Sequence, residues 1–121
     1  MRITAPASNL DELARVVRAI EPHGAVGHVK ARHRGDGYVV DLCGEPSWES
    51  HFEAILRFVE GNRDALALAR AAGAILAVDV AVATEDVQGV PYLSVTIWEE
   101  LVDALASVGA RFIVSLYVET P

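Results

Sequence analysis

The chain has 121 residues, of which 52% are hydrophobic and 22% charged, and its formal net charge at pH 7 is −7. This length and apolar content predict one globular domain spanning residues 1–121 and exclude an intrinsically disordered chain. The acidic balance argues against nucleic acid and anionic membrane as partners, because both call for a basic surface. Neutral and basic partners remain open.

Cysteine usage and the longest charge-free run bear on the cellular location of the protein. Cys43 is the single cysteine, so no intrachain disulfide can form and a disulfide-rich secreted fold is excluded. No apolar stretch of the kind found in signal peptides precedes Asp11 and Glu12. The longest charge-free run, 87–98, is far shorter than the ~20 residues of a membrane-spanning helix. We expect a cytoplasmic protein.

The first elements are a short strand and an amphipathic helix. Residues 3–5 predict the strand, and Ser8 with Asp11 three positions later has the spacing of a capping box at the helix start. Pro22 and Gly24 mark the end of the helix. The apolar stripe of this helix consists of Leu10, Leu13, Val17 and Ile20.

A β-hairpin is predicted next. Residues 26–32 and 38–43 alternate in the manner of strands, and Gly35-Asp36-Gly37 between them is a turn signal. In the second strand, Tyr38, Val40 and Leu42 share the face expected to meet the core.

The middle of the chain predicts two helical pieces and the longest strand. Pro46-Ser47 starts the first helix, and Gly61 interrupts it. Asn62 is expected to cap a second piece that ends at Gly73. Residues 74–83 then alternate strongly enough to predict a long strand. The stripe of the first helix consists of Trp48, Phe52, Ile55 and Val59.

The last elements are a short strand, a helix and a closing strand. Residues 84–89 predict a polar turn and 92–95 a short return strand. Thr96 and Glu99 have capping-box spacing before a helix with the stripe Trp98, Leu101, Leu105 and Val108, and Gly109 ends it. The closing strand is 111–118, with a core face predicted at Phe112, Val114, Leu116 and Val118.

The resulting order is β-α-β-β-α-(α)-β-β-α-β. It predicts an α+β fold, namely a ferredoxin-like α/β sandwich with its helices packed on one face of a mostly antiparallel sheet. The opposite face would then be open and only half polar, which is typical of surfaces that pair with a partner or a second copy. A solvated face with a few tolerated apolar residues is an equally good interpretation. The candidate binding residues on this face are His28, Lys30, Arg32, Asp41, Asp79, Arg111 and Tyr117.

No motif for catalysis, metal binding or a cofactor stands out. The four histidines show no HExxH or CxxC spacing, the serines lack GxSxG, and the glycine pairs precede strands rather than helices. We therefore expect no metal, no cofactor and no enzymatic activity. The basic stretch Lys30, Arg32 and Arg34 leaves an anion or peptide-carboxylate site open, although pairing of Lys30 and Arg32 with Asp41 across the hairpin is the favoured interpretation.

The layout resembles a bacterial family, the domain of unknown function 4279. The resemblance spans nearly the whole chain, and it implies an α/β fold and a bacterial source but supplies no activity. The matching features are Ile20-Glu21-Pro22, Arg34-Gly35-Asp36, the Trp48–Val59 helix, Leu93-Ser94-Val95 and the ending 108–117.

These observations favour a non-enzymatic binding or protein-interaction domain, of which an immunity-type protein that blocks another protein is one form. A small-molecule sensor acting as a dimer is the second interpretation, and a small enzyme is the third. We also expect a homodimer, because a half-apolar open face is suited to self-association.

Overall fold

The computed structural model describes residues 1–23, 25–44, 47–83 and 95–117. Within them the chain forms four α-helices and five strands. The predicted α+β class is therefore confirmed. The strands are β1 (Arg2–Thr4), β2 (Lys30–Ala31), β3 (Gly37–Val39), β4 (Ile75–Ala83) and β5 (Arg111–Tyr117). The helices are α1 (Leu10–Val17), α2 (Trp48–Gly61), α3 (Arg63–Ala71) and α4 (Glu99–Val108).

The strands form one mixed, open sheet in the order β2-β3-β1-β4-β5. The central strand, β1, runs antiparallel to both of its neighbours, with Ile3 opposite Tyr38 on β3 and Leu76 on β4. β2 is antiparallel to β3, whereas β4 and β5 are parallel and are joined through α4. A parallel pair needs such a crossover, because a tight turn can connect only antiparallel strands.

Alternation along the strands divides the described sheet into a packed side and an exposed side. On β4, Leu76, Val78 and Val80 are buried, whereas Asp79 and Ala81 are exposed. The buried side chains join Ile3 and the helix stripes in one core. The stripe residues buried there as predicted are Leu13, Val17, Ile20, Phe52, Ile55, Val59, Leu101, Leu105 and Val108.

An aromatic cluster fastens α2 and α4 to the start of β5. Phe52 lies with its ring centroid 6.0 Å from Trp48, 5.5 Å from Trp98 and 6.1 Å from Phe112. Burying a side chain of this kind contributes about 1.5–3 kcal/mol. Both tryptophans therefore act as packing anchors.

The side-chain caps predicted at four helix starts are absent at three of them, including Asn62 before α3. Ser47 caps α2 as expected, because its Oγ accepts from the Ser50 amide at 3.1 Å. The capping boxes at Ser8 and Thr96 are wrong: Asn9 and Trp98 stand at the helix starts, and neither side chain makes a capping hydrogen bond. A 3₁₀ turn, Ala7–Asn9, precedes α1 and shifts its start by one residue.

Three strand predictions need correction and one lies outside the described residues. The strand expected over 38–43 is only β3, Gly37–Val39. The strand expected over 26–32 is reduced to β2, because the amides of Val26 and Gly27 turn to the carbonyl of Asp41 instead. On β5, Phe112 packs against the core, but Val114 and Leu116 are exposed, since the described core covers only the start of this outermost strand. The turn 84–89 and the strand 92–95 lie outside the described residues, except for Val95, which is not in a strand.

Within the described ranges, no helix has the length and apolar character required to cross a membrane.

Candidate functional site

A single row of paired residues crosses the exposed side of the sheet from edge to edge. In this row Lys30 lies opposite Val39, Val39 opposite Arg2, Arg2 opposite Ala77, and Ala77 opposite Arg111. Paired residues on neighbouring strands point to the same face, so the three basic side chains share the exposed side. Two strand spacings, about 10 Å, separate each basic residue from the next. We call Lys30, Arg2 and Arg111 the basic row.

Two carboxylates accompany the basic row. Asp79 lies two positions beyond Ala77, with its Oδ2 3.8 Å from Arg2 Nη2 and its Oδ1 accepting from Ser115 Oγ at 2.7 Å. Asp41 Oδ2 lies 4.0 Å from Lys30 Nζ, and both side chains are exposed. Such exposed pairs contribute little, at most about 1 kcal/mol. Lys30 is therefore loosely held and can exchange its partner, whereas the pair of Arg2 with Asp79 is half-buried.

A surface hollow of about 680 Å³ opens at the β2 end of the basic row. Arg2, Lys30, Arg32, His33 and Arg34 line it, together with Ala31 and Val39. The Nε of Arg2 is buried and forms no hydrogen bond within the described structure. Guanidinium groups offer paired N–H donors that match carboxylate and phosphate oxygens. The hollow is therefore suited to an anionic group.

Four of the seven residues predicted for the open face lie in the basic row or beside it. Lys30 and Arg111 belong to the basic row, and Asp41 and Asp79 lie beside it. The predicted pairing of Lys30 with Asp41 is present.

The other three predicted residues lie apart from that group. Arg32 follows β2 and lines the hollow, but its Nε pairs with Asp36 at 3.3 Å rather than with Asp41, because both lie in the tight β2–β3 turn. His28 precedes β2 and lines a different hollow beside α1. Tyr117 shares the exposed face but lies at the far end of β5, about 20 Å along the strand from Arg111.

Sequence reasoning missed Arg2, the middle member of the basic row. The signal was the alternation Arg2-Ile3-Thr4, in which Ile3 enters the core and its neighbours face outward. The prediction began the strand at residue 3 and so left Arg2 out. The position of β1 between β3 and β4 is what makes Arg2 central, and alternation within one strand carries no information on its neighbours.

A second hollow lies between β4 and the segment after β3. It measures about 420 Å³, and Met1, Cys43 and His51 are among the residues that line it. The Met1 amino group donates to the carbonyl of Val40 at 2.6 Å, and its burial lowers its pKa from 8.0 to about 6. In the described part of the chain, no three His, Cys, Asp or Glu side chains are grouped so as to hold a metal ion.

Comparison of the chain with family models, curated proteins and solved structures finds no match. The resemblance to the domain of unknown function 4279 therefore stays a prediction. The site has to be interpreted from its own geometry.

Proposed function

We propose that this chain is a non-enzymatic protein-binding module and that its exposed sheet face binds an acidic segment of a partner protein. The basic row is the observation that carries the proposal. Lys30, Arg2 and Arg111 stand in one line across all five strands. A line of cations about 20 Å long suits contact with an extended acidic segment better than chemistry on one small group.

The local charge of this face differs from that of the whole chain. The net charge of −7 leaves neutral and basic partners open. The exposed face and its hollow nevertheless gather Arg2, Lys30, Arg32, Arg34 and Arg111, which are half of the ten Lys and Arg residues. Separation of charge within one molecule orients an approaching partner, so the basic face is where an acidic segment would dock.

The fold that presents this face is proposed to be a ferredoxin-like sandwich with one added strand. The order β2-β3-β1-β4, in which each strand is antiparallel to its neighbours, supports the proposal. Burial of Ile3, Leu76 and Val78 on the helix side supports packing of the helices on a single face. β5 would then be an addition that widens the binding face and supplies Arg111.

An immunity-type role, in which the chain blocks a partner by covering one of its acidic surfaces, is the form of this function that we favour. A sensor of anionic small molecules is the second candidate, and the hollow of about 680 Å³ supports it, since a ligand of modest size would fit there.

The proposal is tested by titrating a poly-glutamate peptide into isotope-labelled protein and following the amide NMR shifts. We expect shifts confined to β2, β1 and β5, and binding that weakens as salt is added. Lys30→Glu/Arg111→Glu should weaken binding about tenfold or more, because two attractive contacts become repulsive.

The matched control is Arg15→Glu/Arg63→Glu, which changes the net charge equally but alters α1 and α3 instead of the exposed sheet face. It should bind as the wild type does. Equal weakening by both double variants, or shifts centred on the helices, would contradict the proposal. If the amide shifts of residues 32–34 change to saturation on addition of inorganic phosphate and do not respond to poly-glutamate, the sensor function is favoured.

A further inference from the structure

The outer edge of β5 is the longest edge of the described sheet. β5 is the last strand in the sheet order and runs for seven residues, Arg111–Tyr117. It contains no proline, and Arg111 is its one charged residue. Val114 and Leu116 are 41% and 54% exposed. An edge that is long, apolar and nearly uncharged is a template for pairing with another strand.

The opposite edge of the sheet lacks these properties. β2 has only two residues, of which Lys30 is charged, and the charged Arg32 follows it directly. Short edges with charged side chains are a usual device against edge-to-edge pairing. Among the described strands, β5 is therefore the edge suited to intermolecular pairing.

The sequence of β5 is complementary to itself in one antiparallel register. From this we infer that β5 pairs with β5 of a second copy of this chain about a two-fold axis at Val114. In that register Val114 meets Val114 of the other copy, and Phe112 meets Leu116. On the other face Ile113 meets Ser115, and Arg111 meets Tyr117.

The pairing creates favourable side-chain contacts on both faces of the sheet. Val114 and Leu116, which the described core leaves exposed, enter an apolar cluster with Phe112 on the helix side. On the exposed side a guanidinium comes beside a tyrosine ring, which is a favourable cation–π arrangement. A two-fold axis forms each heterotypic contact twice, as isologous interfaces require.

This dimer does not rest on the proposed acidic partner, because its backbone pairing uses the edge of the sheet. Arg111 is the one member of the basic row that belongs to both surfaces. It also differs from a homodimer formed face to face. One seven-residue strand pair with its flanking side chains is a small interface, so we expect dimerisation that depends on concentration.

Cysteine cross-linking tests the register. In Val114→Cys the two new thiols face each other across the axis and should form an intermolecular disulfide under mild oxidation. Leu116→Cys is the matched control, since its two copies lie about 13 Å apart in this register, beyond disulfide reach. The wild-type chain, which carries Cys43, gives the background. Cross-linking equal in both variants, or absent from Val114→Cys, would overturn the register.

Sedimentation over a concentration series tests the interface itself. Val114→Lys should raise the dimer dissociation constant about tenfold or more, because two ammonium groups would meet at the axis. Ile75→Lys is the control: Ile75 is also exposed, but it lies on β4, and its substitution should leave the dimer intact. A wild type that is monomeric throughout, or a dimer lost in Ile75→Lys and kept in Val114→Lys, would refute the inference. Far-UV circular dichroism confirms that each variant is folded.

Discussion

The side-chain amide of Asn62 is the most densely bonded polar group of the described core. Its Oδ1 accepts from the Glu21 amide at 2.8 Å, and its Nδ2 donates to the carbonyls of Glu21 at 2.8 Å and Phe58 at 3.0 Å. Asn62 was expected to cap α3, but its side chain makes no capping hydrogen bond there. It joins the end of the α1 region to the α2–α3 junction instead.

Replacement of Asn62 should therefore be costly. Asn62→Ala removes three hydrogen bonds, two to the Glu21 backbone and one to the Phe58 carbonyl, which keeps its bond from the Asn62 backbone amide. At about 1 kcal/mol for each bond, we expect a loss of about 2–3 kcal/mol in the free energy of unfolding. Urea denaturation measures it. Glu60→Gln, an exposed change two residues away on α2, should stay within about 0.5 kcal/mol of the wild type. Similar urea midpoints for Asn62→Ala and the wild type would show that the hydrogen bonds of the Asn62 side chain contribute nothing to stability.

The Met1 amino group makes the stability of the fold depend on pH. Burial lowers its pKa from 8.0 to about 6, so between these values the unfolded chain binds more protons than the folded one. Stability should rise with pH through this window, by about 2–3 kcal/mol in total. The measurement is urea denaturation at a series of pH values, on a preparation that starts at Met1.

N-terminal acetylation provides the control for this effect, because it removes the titrating amine. The acetylated chain should lack this part of the rise between pH 6 and 8. Identical pH profiles for the free and acetylated chains would contradict the assignment to Met1.

At the level of elements, the β1–β3 pair leaves no room for a side chain at Gly37. Its φ is +150°, and a Cβ built there would overlap the carbonyl oxygen of Ile3. Gly35 in the same turn has φ +69° and open space around it. Gly35 therefore isolates the backbone strain of a positive φ, whereas Gly37 combines such strain with steric overlap.

Gly37→Ala should destabilise the fold by about 3 kcal/mol or more, because β1 would have to move away from β3. Gly35→Ala should cost about 1–2 kcal/mol, the strain of a left-handed alanine. Thermal unfolding of the two variants side by side measures the difference. Equal losses would mean that β1 and β3 separate easily.

The helices were more predictable from sequence than the strands. The stripes of α1, α2 and α4 are buried as predicted except for the half-buried Leu10, Trp48 and Trp98, because a helix carries its periodicity within itself. The extent of β2 and the exposure of Val114 depend on what lies on the neighbouring strand and across the core. That information is tertiary, so alternation alone overestimates β2 and assigns the end of β5 to the core.

For the whole molecule, the sequence predicted residues of an open face but not how the sheet arranges them. Lys30, Asp41, Asp79 and Arg111 all lie on the exposed side of the described sheet, with Lys30 and Arg111 at opposite edges. Their order across the sheet follows from the insertion of β1 between β3 and β4, which no local pattern specifies. The addition of Arg2 and the distance of Tyr117 both follow from that topology.

The central position of β1 also affects how the protein folds. Ile3 is buried against Leu76, more than half the chain away. Contacts of such long range require loop closure before they bring any stabilisation, and they slow folding. Refolding should therefore be limited by the encounter of β1 with β4. Until β4 has been synthesised, Ile3 on the nascent chain lacks its partner Leu76 and can pair only with β3.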